Sequence, residues 1–336
     1  MATGPVRRVL VDGPGTPLGR LVVAAAEGDP AVAAVVGPDA LRDRADAGVL
    51  DVVVLAPGSG PERDGSGSAG VGLDAAASLL SALREVEVRS LVVVSSAMVY
   101  GAWPDNPVPI SEDAVLRPNP GSMYAAAKAE LERLATTFRS ARPRVAVALL
   151  RPTVTTSNDP EAVDWMGRSL WHVATARHGD VDPVGQFLHI DDLGAAIDHA
   201  RRHALDGAFN VAPEGWLSAA RQVELVGRGG KVRIPAASAG RVAALRWRLG
   251  LTSTPPEVLP FTMYPWVVAS DRLRSTGWAP RSSNEEAFVV GSRPGWWATL
   301  SARRRQELSL ALLFGGLAAA IAAGVGVLRR ILTRRE

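Results

Sequence analysis

Val6–Ala26 reads VRRVLVDGPGTPLGRLVVAAA, and its three parts decide the fold. Val6–Val11 has the length and composition of a short buried strand, a glycine- and proline-rich turn follows, and the apolar stretch Leu18–Ala26 reads as a helix. Outward from this unit the same alternation returns. Apolar runs at Ala31–Val36, Leu50–Ala56, Leu91–Val94 and Val145–Leu150 are rich in valine or leucine, the pattern of strands buried on both faces. Helical patterns at Leu73–Leu83 and Met123–Phe138 lie between the last three. Strand and helix in alternation specify an α/β fold with a parallel, doubly wound sheet. After Arg151 the rhythm loosens and proline, tryptophan and glycine become frequent, which suits a smaller C-terminal lobe facing a substrate. The expected division is therefore 1–160, 161–295 and a basic tail, 296–336. Residues 57–72 (PGSGPERDGSGSAGVG) have flexible-loop composition, suiting either a lid beside a ligand or a plain surface loop.

A chain of 336 residues with 47% hydrophobic content buries a sizeable core. It has no cysteine, which excludes disulfides, zinc–thiolate sites, iron–sulfur clusters and thiol nucleophiles. The formal charge is +3, but seven arginines against two glutamates from Arg303 onward leave +5 in the tail and −2 in the body. A slightly acidic body has no electrostatic footprint for nucleic acid. Met1–Arg8 is too short and polar for a secretion signal, so the body is expected in the cytoplasm. Ser309–Leu328 is twenty residues without a charge, bracketed by arginines, and about twenty helical residues cross a ~30 Å bilayer core. The expectation is a C-terminal hydrophobic helix attached to the membrane. Its alternative is an alanine-rich helix packed on the body or a partner. Gly316, Ala320 and Gly324 recur at a spacing that lets two helices approach closely, which suits a homodimer.

Chemistry concentrates in Leu91–Lys128. A tyrosine four residues before a lysine on a helix places both side chains on one face, one turn apart, and Tyr124-Ala-Ala-Ala-Lys128 is that pair. Lysine is scarce here, with only Lys128 and Lys231 among 37 basic side chains, so a compact ammonium is specifically required at Lys128. Free tyrosine titrates near ~10, and making it a base near neutral pH requires about 4 kcal/mol of preferential phenolate stabilisation, to which a neighbouring ammonium contributes. Ser96 ends the apolar run Leu91–Ser96, at the edge of a parallel sheet where ligands sit, and its hydroxyl is suited to holding a reacting oxygen.

Ser95-Ser-Ala-Met-Val-Tyr-Gly101, followed 28 residues after Ser96 by Tyr124-x-x-x-Lys128, resembles the paired signatures of the extended short-chain dehydrogenases, the NAD-dependent epimerase/dehydratase family. Arg151-Pro152 and His189-Ile-Asp-Asp192 are similar to further family landmarks, and the resemblance runs from about residue 6 to about residue 290. It implies a Rossmann fold. It assigns Tyr124 as acid/base, Lys128 to the nicotinamide ribose and to lowering the tyrosine pKa, and Ser96 to orienting the substrate oxygen. It also implies cofactor contacts from Gly13, Gly15, Thr16, Leu18, Gly19, Asp39, Tyr124, Lys128 and Thr153. Asp39 favours NAD, while Arg42 and Arg44 leave NADP open. His189 and the two aspartates are expected to be structural, with Asp191 or Asp192 capping a helix that begins near Leu193.

The sequence also departs from the family pattern. In Asp12-Gly-Pro-Gly-Thr-Pro-Leu-Gly19, Thr16 replaces the middle glycine and Pro17 removes an amide donor. Only twelve residues separate Asp39 from Asp51, too few for the strand and helix that ordinarily intervene, so a trimmed adenine end is expected. Val154 and Gly72 stand where nucleotide-sugar epimerases carry asparagines. The leading expectation is hydride transfer at a substrate carbinol, with a cell-envelope sugar or lipid as substrate. The alternatives are a non-catalytic dinucleotide-binding regulator and a membrane assembly protein of the same fold.

Overall fold

The computed structural model describes residues 7–42, 48–56, 72–159, 162–163, 166–167, 169, 184–226, 236–251 and 255–291. Its contacts divide the chain into compact units Met1–Gly291 and Ser292–Glu336. The expected loop 57–72 lies almost wholly outside the described residues, and the expected apolar helix 309–328 lies entirely outside them. Among the described residues no helix is long and apolar enough to cross a membrane.

The first unit is built on β1 (Arg7–Asp12), α1 (Pro17–Glu27), β2 (Val32–Val36), β3 (Val49–Val54), α2 (Leu73–Ala82), β4 (Val88–Val94), α3 (Met123–Ala141) and β5 (Ala146–Pro152). It continues through β6 (Val154–Thr156), β7 (Phe187–His189), α4 (Ile190–Arg202), β8 (Gly207–Val211), α5 (Ala219–Val226), α6 (Ala236–Arg248), α7 (Asp271–Arg274) and α8 (Asn284–Gly291). Six strands form one sheet in the order β2-β1-β3-β4-β5-β8, and every pairing is parallel. β6 and β7 form a separate parallel pair.

Alternation along the strands divides the core into two layers. Val9, Val11, Val53, Leu55, Val92 and Val94 pack with Val22 and Ala26 of α1 and Leu193, Ala196 and Ile197 of α4. The intervening Leu10, Val52, Val54, Leu91 and Val93 pack with Leu79 and Leu80 of α2 and Leu131, Ala135 and Phe138 of α3. Helices therefore cover both faces, as the continuous apolar runs require. β2 departs from the expectation of a strand buried on both faces: all its residues remain partly or wholly exposed. It is the sheet's edge, so only one neighbour covers it.

The connection from β2 to β3 contains the short 3-10 helix Pro38–Arg42, and its described part adds no strand. Asp51 is fully buried in β3, where it receives a bidentate pair from Arg89 at 2.7 Å and a hydrogen bond from Ser90 Oγ at 2.8 Å. Buried Arg201 extends the cluster to Asp29, at 2.8 Å, and Asp198, at 2.7 Å. Its guanidinium hydrogen bond is the main reason the Asp29 carboxyl is held below its usual range. This cluster ties α4 to the sheet.

Two helix-cap expectations change. α4 begins at Ile190, and its N-cap is His189, whose ring nitrogen accepts from Asp191 N at 3.3 Å. Asp192 instead accepts from the backbone N–H groups of Arg281 and Ser282, at 2.7 and 3.0 Å. Asp192 lies in the first turn, and its carboxylate closes the loop before α8.

Candidate active site

The sheet order reverses between β1 and β3, where the chain first runs outward to β2 and then returns to the other side of β1. In open α/β sheets ligands bind at the carboxyl ends of the strands flanking such a reversal. The turn after β1 is shaped for close approach. Gly13 has φ +73°, and Thr16 caps α1 by accepting from Gly19 N at 3.0 Å while donating to Gly13 O at 2.8 Å. A Cβ on Gly19 would lie 2.1 Å from Gly13 O, so only glycine lets the loop fold onto its own helix. Pro17 stands in the first turn, where its missing N–H breaks no helical bond. Leu18 follows in that turn. Gly15 is exposed and open, and its carbonyl accepts from Arg20 Nη1 at 2.7 Å.

Across the reversal, Lys128 connects the strand ends. It is buried on α3, and its ammonium donates to Leu55 O, Ala56 O and Val94 O at 3.3, 3.1 and 2.8 Å. Those carbonyls end β3 and β4, so the charge lies at the sheet's carboxyl edge. Tyr124 is buried one turn earlier on α3, with its ring centroid 5.8 Å from Lys128 Nζ. Ser96 lies two residues beyond Val94 and caps the 3-10 helix Ala97–Tyr100, its Oγ accepting from Met98 N at 3.2 Å. The three sequence-predicted residues therefore occupy neighbouring positions at one sheet edge. Asp12, which ends β1, accepts from the Ala56 backbone N–H. Burial pushes its carboxyl up, against the opposing pull of that hydrogen bond and of the Lys128 charge.

A buried polar network, missed in the sequence, lies behind this edge. Glu132 sits one turn beyond Lys128 on the same helix face and accepts from Ser95 Oγ at 2.5 Å. It also receives Arg151 Nη2 at 2.7 Å and Arg151 Nε at 3.0 Å. Arg151 Nη1 donates to Tyr100 OH at 2.6 Å and to Glu112 O at 3.1 Å, and Tyr100 OH donates to Asn210 Oδ1 at 2.8 Å. Burial pushes the Tyr100 phenol up to about 12, so it stays a neutral donor. The network fixes Ser95, the residue before Ser96, to both α3 and β5. One sequence signal was available: Tyr124, Lys128, Leu131, Ala135 and Phe138 define the inner stripe of α3, and Glu132 is a carboxylate on that stripe.

Two further buried polar groups near this edge each keep an oxygen without a partner among the described residues. Thr153, just past β5, has a buried hydroxyl with no hydrogen-bond partner among the described residues. Glu257, in the 3-10 helix Pro256–Thr262, accepts from Met123 N at 3.2 Å through Oε2, while its buried Oε1 has no partner among the described residues. Burial raises its carboxyl above the usual range. Met123 immediately precedes Tyr124, so this carboxylate lies at the end of α3 that carries the tyrosine. Asp39 is exposed on the 3-10 helix after β2, and Val154 and Gly72 are in β6 and at the cap of α2.

The donor set fits a nicotinamide dinucleotide, unequally along its length. Thr153 supplies an orphaned hydroxyl, and Tyr124, Lys128 and Ser96 supply a phenol, an ammonium and a hydroxyl at one edge. The anion cradle is thinner: Pro17 has no N–H, Thr16 already occupies the Gly19 N–H, and Asp12 adds a carboxylate.

The family model for the NAD dependent epimerase/dehydratase family matches residues 38–212, more than half of the chain. Uncharacterized proteins of Mycobacterium tuberculosis and Mycobacterium bovis are 26% identical over 248 residues, covering 72% of this chain and 65% of theirs. The chain thus spans just under two thirds of the length of those relatives. Among solved structures, a UDP-glucose 4-epimerase from Thermus thermophilus in complex with NAD is 18% identical, with TM-score 0.59, covering 84% of this chain and 97% of that one. A UDP-glucuronic acid 4-epimerase from Bacillus cereus, in complex with UDP-glucuronic acid and NAD, is 14% identical with TM-score 0.58 and the same coverages, 84% and 97%. RMD from Pseudomonas aeruginosa, complexed with NADPH, is 18% identical with TM-score 0.58, again over 84% and 97%. At such identities these three likenesses speak to the fold. With the motif pair at the sheet reversal and a family match over more than half its length, the chain belongs to the NAD-dependent epimerase/dehydratase family of extended short-chain dehydrogenases.

Proposed function

We propose that the protein is an NAD-dependent oxidoreductase or epimerase that acts at a substrate carbinol carbon with Tyr124 as acid/base. The observation that carries this reading is the placement of Lys128 Nζ on the carbonyls of Leu55, Ala56 and Val94, one turn from Tyr124. A fixed ammonium 5.8 Å from the tyrosine ring centroid favours the charged phenolate over the neutral phenol. Bound NAD would supply the hydride acceptor. Tyr124 would remove the hydroxyl proton as the C–H bond breaks and return it when the carbonyl is reduced again. Ser96 would hold the reacting oxygen, and Lys128 would hold the ribose by exchanging one of its three carbonyl acceptors for a ribose hydroxyl. Gly13, Gly15, Thr16, Leu18 and Gly19 would line the pyrophosphate, Thr153 the nicotinamide end, and Asp39 the adenosine ribose.

The family name and the NAD- and NADPH-bound structural neighbours support a dinucleotide, and the Asp39 charge favours NAD because it repels a 2′-phosphate. The substrate class we favour is a hydroxyl-bearing sugar or lipid of the cell envelope. Segment 309–328 would attach a cytoplasmic body to the membrane, and its small-residue stripe would pair two copies. The experiment is native mass spectrometry for a co-purifying nicotinamide dinucleotide, followed by turnover on a panel of nucleotide sugars. Absence of any dinucleotide binding overturns the reading. For the anchor, cell fractionation of the full chain and of a chain ending at Ser301 should differ, and equal solubility of the two ends that part of it.

A further inference from the structure

The net −2 of the body conceals a strongly polar arrangement. Between Glu224 and Glu257 there is no carboxylate, while Arg228, Lys231, Arg233, Arg241, Arg246 and Arg248 all fall in that interval. The described part of this interval is α6 and its exit, Leu249–Leu251. α6 packs onto the 3-10 helix Pro256–Thr262 through its inner face, where Ala239 is buried and Val242, Ala243 and Trp247 are half-buried. Its outer face carries the exposed Arg241, Leu245, Arg248 and Leu249, and Arg246 is exposed in the last turn beside the exit. Leu245 is 55% exposed, Leu249 60% and Leu251 65%. None of the three arginines makes an ion pair among the described residues.

The exit is closed by a defined cap. Gly250, at φ +68°, donates to Trp247 O at 3.0 Å, and Leu251 N donates to Arg246 O at 2.9 Å. Such a cap normally brings the residue in the Leu251 position against an apolar side chain at the position of Arg246. Here that partner is an arginine, and Leu251 stays largely in solvent.

Three exposed leucines beside arginines without carboxylate partners are complementary to a surface that offers apolar chains and anions together. A bilayer surface with anionic headgroups offers both within a few ångströms: apolar side chains enter the acyl boundary while guanidinium groups meet phosphates. A nucleic acid would satisfy the arginines and leave the leucines in water. We propose that α6 and Leu249–Leu251 form an interfacial docking element for an anionic membrane, separate from 309–328 and independent of the catalytic reading. The 3-10 helix under α6 also carries Glu257, beside Met123, so one short element joins the docking face to the substrate end of the site.

The chain has no cysteine, so one introduced thiol gives an unambiguous probe. An environment-sensitive dye is placed at Leu249→Cys in the full chain, with Val115→Cys, 82% exposed, as a reference position. Phosphatidylglycerol vesicles should shift the Leu249 dye to the blue, and phosphatidylcholine vesicles should not. The Val115 dye should stay aqueous in both. Arg241→Gln/Arg246→Gln/Arg248→Gln should weaken the Leu249 response by tenfold or more while leaving the melting temperature and NAD affinity unchanged. The proposal is overturned if the Leu249 dye stays aqueous on phosphatidylglycerol while a dye at Leu317→Cys enters the bilayer. It is equally overturned if the shift appears with rising protein concentration and no vesicles, which would mark a contact between copies, or if an acidic polypeptide produces it as fully as the vesicles do.

Discussion

The two ends of the candidate cofactor site are built differently. The Ser96–Tyr124–Lys128 end rests on β3, β4 and β5, the sheet's interior, and is backed by a continuous buried network through Glu132, Arg151 and Tyr100. The Gly13–Gly19 and Asp39 end rests on β1 and the half-exposed edge strand β2, with a short 3-10 helix leading toward β3. Lys128 is held by three carbonyls and Glu132 by Ser95 and Arg151, whereas Asp39 sits exposed on the edge. The fixed side chains stand at the β3–β5 end and the departures of the glycine loop, Thr16 and Pro17, at the β1 end, while Val154 and Gly72 lie apart from both, in β6 and at the cap of α2.

That contrast breaks most directly at Tyr124. Tyr124→Phe should lower turnover by ~10²–10⁴-fold, the usual range for a positioned acid/base, with NAD affinity within a few-fold. Turnover that survives would remove Tyr124 from the mechanism. Behind it, Arg151→Met leaves Glu132 buried without its partner, a change that typically costs about 3–5 kcal/mol. A denaturant titration should report that loss, and adding Glu132→Gln should recover part of it. No recovery would mean that packing, not charge pairing, holds β5 to α3.

At the other end, Gly19→Ala should destabilise the protein by about 2 kcal/mol, because the added carbon meets a backbone oxygen at 2.1 Å. A variant with unchanged melting would contradict the tight loop. Asp12→Asn retains an acceptor for Ala56 N–H but removes a carboxylate from beside the glycine turn. It should tighten NAD binding several-fold at pH 7. Unchanged affinity would place Asp12 outside the field of the pyrophosphate.

The smallest effect concerns Glu257 and has a defined pH sign. Burial raises its carboxyl in the folded state, so the folded state binds more protons and stability declines as pH rises above the ordinary carboxylate range. Glu257→Gln should therefore melt higher than the parent at pH 7, with the difference vanishing toward pH 4. A difference that grows on acidification would reverse the assignment.

β1 to β5, α1 to α3 and the Tyr124/Lys128 pair were legible because each is a local pattern: an apolar run, a helical stripe, two chemical groups one turn apart; β6, β7 and β8 were not, being short segments in the region after Arg151 where the rhythm loosens. The acceptors of Lys128 were not, since Leu55, Ala56 and Val94 contribute only carbonyls, which every residue has. Arg151 and Tyr100 are 51 residues apart and Tyr100 and Asn210 are 110 apart, so their bonds exist only once β4, β5 and β8 are adjacent. β2 has the apolar composition of a central strand, and only the sheet order makes it an edge. The His189 cap was hidden by two better-known capping residues directly after it.

The central claim is that an NAD site survives with its binding energy concentrated at the Lys128 end. Calorimetric titration of the folded full chain with NAD, beside Lys128→Met and Asp39→Asn proteins whose melting curves establish that they are folded, tests it directly. We expect saturable binding with NAD preferred over NADP, weakened tenfold or more by Lys128→Met and only a few-fold by Asp39→Asn. No binding of either dinucleotide, or a larger loss from Asp39→Asn than from Lys128→Met, would contradict it.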